Sequence, residues 1–170
     1  MKNPKKSLSR SFSSLLFCKT ALLGSKGSLL HGNDFDGSID AFDQTYTDAI
    51  TLSGDSLVNG SNVTFDTTID GAYNLTTNLT GSSNFNGTVG GTTPLTNLSV
   101  TSSGNTTLGA NVTTTGSQTY NNFTSLTGDI TLSGSDVSFA QSVVGFGTNL
   151  TLNSTNSELS AGVSNVANLT

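Results

Sequence analysis

After Lys26 this sequence has no lysine and no arginine. All six basic residues (Lys2, Lys5, Lys6, Arg10, Lys19 and Lys26) lie in the first 26 positions, and all eleven acids lie from Asp34 onward. A surface without cations cannot neutralise phosphates, which excludes nucleic acid as a partner of that long cation-free region. Anionic lipid headgroups are excluded on the same ground. The single cysteine, Cys18, allows no internal disulfide. No apolar run reaches the 18 or more residues of a membrane-spanning helix. No segment beyond residue 30 keeps helical apolar spacing over three turns, so long amphipathic helices are excluded as well.

What fills the chain instead is 28 Thr, 26 Ser, 19 Gly and 18 Asn among 170 residues, more than half of the total. Such a composition is either disordered or arranged so that a little apolar surface serves many residues. Short alternating runs decide for the second. Ile50/Leu52, Val63/Phe65, Leu98/Val100, Ile130/Leu132, Val137/Phe139 and Leu150/Leu152 each put two apolar side chains on one strand face, with a residue between them pointing the other way. Gly, Asn, Ser and Asp separate these runs. The reading is all-β from Asp34 to the end.

The chain also repeats itself, and repeats take precedence over local patterns. Gln44-Thr45-Tyr46 returns as Gln118-Thr119-Tyr120, 74 residues later. Without a gap, residues 44–71 and 118–145 agree further at Leu52/Leu126, Gly54/Gly128, Asp55/Asp129, Gly60/Gly134, Ser61/Ser135, Val63/Val137, Phe65/Phe139 and Gly71/Gly145. Within this period, Asn74-Leu75-Thr76, Asn97-Leu98-Ser99, Gln118-Thr119-Tyr120, Asn149-Leu150-Thr151 and Asn168-Leu169-Thr170 mark smaller units of 23, 21, 31 and 19 residues. Units near 20 residues holding two or three short strands predict a parallel β-helix, a β-solenoid of about 6–7 irregular coils. Apolar columns would run inside it, with Asn and Thr ladders at the corners. The organisation is then a basic leader-like segment over 1–33 and solenoid repeats over 34–170, with 44–117 as one 74-residue copy and 118–170 as a truncated second. The chain stops at Asn168-Leu169-Thr170, where a coil would begin, so further repeats of a longer chain are the expected stacking partner.

Two segments imitate other functions. Met1–Arg10 is basic, Phe12–Phe17 is partly apolar and the stretch is Ser-rich, which has the order of an export or transit signal, although Lys19 interrupts the apolar part. From Gly32, the acids Asp34, Asp36, Asp40 and Asp43 fall at positions 3, 5, 9 and 12 of a calcium-loop pattern, with Gly37 at 6. Position 1 is Gly32, and Phe35-Asp36-Gly37-Ser38-Ile39-Asp40 echoes Phe65-Asp66-Thr67-Thr68-Ile69-Asp70. The cluster is therefore read as the first turn of the repeat, and no metal residues are assigned.

Catalysis has little to stand on. The repeats lack a Lys or Arg base, His31 lies outside them, and no nucleophile–base pair or His/Cys ligand set can be assembled. Asp55 and Asp129 recur at equivalent positions in Gly-Asp contexts, where a carboxylate commonly bonds a nearby backbone N–H in a turn. No catalytic, cofactor or metal residues are expected, and the chain is read as no enzyme. Asn-x-Ser/Thr triplets (Asn62, Asn74, Asn78, Asn97, Asn105, Asn111, Asn122, Asn149) follow from composition and from corner positions that favour Asn. Outward Thr64, Thr76 and Thr151 suit a solvated β face, or a hydroxyl row that binds an ordered surface.

The run Gly87-Thr88-Val89-Gly90-Gly91-Thr92-Thr93-Pro94-Leu95-Thr96-Asn97-Leu98, followed by Val112-Thr113-Thr114-Thr115-Gly116-Ser117-Gln118-Thr119-Tyr120-Asn121, resembles the β-strand repeats of large bacterial filamentous-haemagglutinin-like and autotransporter-type adhesins. The likeness covers about residues 34–170. The resemblance implies a right-handed parallel β-helix exported across the outer membrane, extracellular or held at the cell surface, serving as a stalk or adhesive passenger towards a host-cell or polysaccharide surface. The amino-terminal secretion domain and carboxy-terminal translocator barrel of that family are not recognisable in this sequence. A carbohydrate- or surface-binding solenoid module is the alternative expectation, followed by a polysaccharide-active β-helix enzyme or a gene remnant.

Overall fold

In a computed structural model, which describes residues 28–29 and 34–170, the chain is an all-β solenoid. Apart from Ser28 and Leu29, the leader-like segment over 1–33, with Cys18, His31 and Gly32, falls outside the described residues. Fourteen strands occur and no helix among the described residues, so none is long and apolar enough to cross a membrane. In chain order they are β1 (Ser28–Leu29), β2 (Asp34–Tyr46), β3 (Ile50–Phe65), β4 (Ile69–Asp70), β5 (Asn74–Leu79), β6 (Ser83–Phe85) and β7 (Asn97–Ser102). Then follow β8 (Thr106–Leu108), β9 (Val112–Thr113), β10 (Ser117–Tyr120), β11 (Thr124–Leu126), β12 (Ile130–Phe139), β13 (Val143–Leu159) and β14 (Val163–Leu169). Every pairing between them is parallel, each strand lying on the equivalent strand of the next coil.

Three ladders carry the stack. The first aligns Tyr46, Phe65, Phe85, Leu108 and Leu126. The second aligns Ile50, Ile69, Val89, Val112, Leu132 and Leu152. The third aligns Ile39, Val58, Thr77, Val100, Tyr120, Phe139 and Leu159, seven rungs for about seven turns. The step from one coil to the next runs from 16 residues, between Ser28 and Gln44, to 23, between Ser83 and Thr106. Adjacent parallel strands lie about 4.8 Å apart, so like side chains stack directly upon one another.

This geometry explains how a chain one-third apolar folds. Each coil supplies a few inward residues, and the coils above and below cover them. Val58, Phe85, Val100, Leu108, Tyr120, Leu132 and Phe139 are fully buried. Tyr46, Phe65 and Phe85 form an aromatic column with ring centroids 5.1 Å apart at each step, and Tyr120 stacks on Phe139 at 4.7 Å. Each such pair contributes about 0.5–1.5 kcal/mol beyond its area burial.

Three expectations need correction. The 31-residue step from Gln118 to Asn149 is not a coil: Gln118 on the third ladder pairs with Val137, 19 residues on, and Asn149 stands at a different corner, before the second ladder. Likewise the 74-residue period is not a whole number of coils. Gln44 lies on the first ladder and Gln118 on the third, so the repeat covers three full turns and two further faces, and its copies face different directions. The Asp34–Asp43 segment is no turn either. It lies within β2, which stays paired with β3 around the corner and shifts register only between Phe35 and Gly37.

Candidate functional site

Six of the described carboxylates are used in one consistent way, and the sequence reading missed it. Asp40 Oδ1 accepts from Asn59 Nδ2 at 2.7 Å, and Asp43 Oδ1 from Asn62 Nδ2 at 2.7 Å. Asp55 accepts both the backbone N–H and the Nδ2 of Asn74, each at 2.9 Å. Asp129 does the same with Asn149, at 2.8 and 2.9 Å. Asp66 accepts from Asn86 and Asp136 from Asn156, both at 2.8 Å. In all six pairs the Asn follows the Asp by 19 or 20 residues, one coil. Asp70 instead accepts the backbone N–H groups of Thr92 and Thr93.

The direction of these bonds has a simple cause. An ionised carboxylate only accepts, whereas Asn both donates and accepts. A chain of bonds climbing a corner can therefore start at Asp and continue through Asn, but not pass through a second Asp. From Asp55 it runs to Asn74, then to Asn97 (2.8 Å), whose Oδ1 takes the N–H of Ser117 at 2.7 Å. From Asp129 it runs to Asn149 and Asn168. The backbone N–H of Asn74, then its side chain, pulls the Asp55 carboxyl below its ordinary pKa of 3.8, and Asn149 does the same for Asp129. Asp136 is lowered chiefly by the Ser135 hydroxyl and then by Asn156. Asp55 and Asp129 were expected to bond N–H groups nearby in sequence; they bond the next coil instead.

A second recurring device is buried. Gln44 Nε2 donates to the carbonyls of Ala41 and Asn59, and Gln118 Nε2 to those of Val112 and Ser133. The Tyr46 hydroxyl donates to Gln44 Oε1 at 2.6 Å, and the Tyr120 hydroxyl to Gln118 Oε1 at 3.1 Å. Complete burial pushes the Tyr120 phenol far up, which suits a permanent donor and not a proton-transfer group. The repeated Gln-x-Tyr is thus a structural clip.

Among the described residues no group of three or more His, Cys, Asp or Glu could hold a metal ion. Of the calcium-loop acids, Asp40 and Asp43 are tied to Asn59 and Asn62, while the side chains of Asp34 and Asp36 lie outside the described residues. Compared with protein-family models, with curated proteins and with solved structures, the chain matches none. Function has to be argued from its surface.

That surface is built of hydroxyls and amides. Thr64, Thr76 and Thr151 do not form one row: they lie on the first, third and second ladders respectively. The continuous row is on the third ladder, where Thr76, Ser99, Thr119 and Ser138 follow one another coil by coil. Beside it run Asp40, Asn59, Asn78 and Thr101. Two shallow grooves flank the early coils of this ladder. One, of about 510 Å³, is lined by Asp55, Leu57, Thr76 and Ser99; the other, of about 520 Å³, by Asp40, Phe42, Asn59, Ser61 and Thr80. Of the Asn-x-Ser/Thr asparagines, Asn62, Asn74, Asn97 and Asn149 are engaged in corner ladders and Asn122 is buried.

Proposed function

We propose that residues 34–170 are a non-catalytic, adhesin-type repeat segment, a stalk or adhesive passenger fragment that is surface-exposed or secreted. The observation that carries this reading is the Asp–Asn ladder. Six carboxylates join one coil to the next, and the outward faces offer hydroxyls and amides without cations. Seven rungs about 4.8 Å apart make a rod on the order of 30 Å long, a length that further repeats would extend. Such a rod binds by many weak contacts whose effect multiplies when several engage together. The likeness to filamentous-haemagglutinin-like and autotransporter-type repeats supports the same reading, with host-cell or polysaccharide surfaces as the partner and the outer membrane or medium as the location.

The test is the whereabouts and size of the native product. An antibody against residues 118–148, used on fractionated cells and medium, is expected to detect it at the cell surface or outside the cell. A product confined to the cytosol would sink the proposal. A band far above 17 kDa would make the chain a segment of a larger adhesin. The uninterrupted hydroxyl row of the third ladder favours a second reading, a carbohydrate-binding solenoid module.

A further inference from the structure

Among the described residues, Phe42 is the most exposed large hydrophobic residue, at 85%. It sits in β2 between Asp40 and Asp43, at the corner where the chain passes from the third ladder to the first, and lines the 520 Å³ groove. Ala41, Phe42 and Gly60 give the groove apolar surface, and Asp40, Asn59, Ser61 and Thr80 supply its polar groups. Asp40 holds Asn59 through Oδ1. One coil on, the Ser61 and Thr80 hydroxyls lie 3.4 Å apart. An exposed aromatic face beside a carboxylate, an amide and paired hydroxyls matches the two-sided chemistry of a pyranose ring, whose C–H face is apolar and whose edge carries hydroxyls. Sites of this kind are mostly apolar, with a few placed polar groups that fix orientation. Charge narrows the class further: no cation exists beyond Lys26, and Asp40 and Asp43 bracket Phe42, so sulfated or uronic sugars are repelled.

We infer that the groove lined by Phe42, Asp40, Asn59, Ser61 and Thr80 is a subsite for one residue of a neutral polysaccharide, with the Phe42 ring as its stacking platform. The hydroxyl row through Thr76 and Ser99 continues the same face and would carry neighbouring sugar units. This inference rests on the adhesive reading above and gives it a place on the molecule.

The test is affinity gel electrophoresis of the purified chain through mannan, galactomannan, hydroxyethyl cellulose and, separately, dextran sulfate. At least one neutral polymer should retard the protein, and F42A should weaken that retardation roughly tenfold or more without changing the melting temperature, since the ring is exposed. F146A removes another ring, 74% exposed at a different corner, and should leave retardation unchanged. Equal loss in both variants, no loss in F42A, retardation by dextran sulfate alone, or no retardation by any neutral polymer would each overturn the inference. A surface-located product that no neutral polymer retards would remove the subsite and leave the adhesin-type reading standing; a cytosolic product would do the reverse.

Discussion

At the scale of single residues, the economy of this protein is that acids are structural. Asp55 and Asp129 are exposed, yet each accepts two bonds from the coil above, and those bonds favour the ionised form. Their folded pKa values lie below the unfolded value of 3.8. A depressed carboxylate contributes stability that is present above the unfolded pKa and lost as pH falls through the folded one. Melting temperature should therefore hold through neutral pH and drop as pH falls below about 4. Asn in place of each Asp keeps an acceptor oxygen and removes the titration. The double variant D55N/D129N is expected to start lower at pH 7 and to lose less on acidification, as read by circular dichroism melts from pH 7 to 2. An unchanged acid dependence would show that these carboxylates do not hold the coils.

At the scale of the element, the corner glycines matter as much as the strands. Gly60 lies where β3 bends, and a Cβ there would fall 2.0 Å from the Ala41 carbonyl oxygen and 2.8 Å from Gln44 Nε2. Its repeat partner Gly134 faces Thr114 Oγ1 at 2.6 Å and lies 3.5 Å from Gln118 Nε2. In both copies a glycine opens the space through which the buried Gln reaches the carbonyl of the next coil, which explains why Gln and Gly recur together. Gly128 is different, with its nearest neighbour at 3.5 Å. Gly60→Ala should cost about 1–3 kcal/mol through overpacking of a backbone contact. Gly128→Ala should be neutral or stabilise by about 0.4–1 kcal/mol through the unfolded chain. Urea unfolding of the two variants separates these outcomes; similar midpoints would refute the argument.

At the scale of the whole molecule, the solenoid is a sum of coils, each touching only its neighbours. Deleting Leu75–Asn97 joins Asn74 to Leu98 and removes one coil with all three ladders kept in register, because Leu75 pairs with Leu98. This variant should retain a β-type circular dichroism spectrum and a cooperative melt at somewhat lower temperature. Deleting only Leu75–Phe85 removes part of a coil and turns the following inward residues onto the wrong ladder, so that variant should fail to fold. If both deletions behave alike, the three ladders are not the unit of stability.

Much of this was legible in the chain alone. Alternation at Val63/Phe65 and Val137/Phe139 announces strands with one buried face, because the side-chain period of a strand is two whatever it packs against. Repetition near 20 residues announces stacked coils, since a strand pair too small to bury its own face needs an identical neighbour. The Asp–Asn spacing of 19 or 20 residues was also present, from Asp40/Asn59 to Asp136/Asn156, and went unread because Asn is common enough to hide it. The phase of the repeat was not legible. Gln44 and Gln118 are each followed by Thr-Tyr, yet occupy different ladders, because coil lengths between them vary and sequence distance does not measure rotation about the axis. For the same reason the sequence shows Thr64, Thr76 and Thr151 as outward without showing that they fall on three different ladders, while Phe42 and Thr80 line one groove only through the stacking of coils. Which residues turn inward is local chemistry. Which of them share a face is settled by the winding.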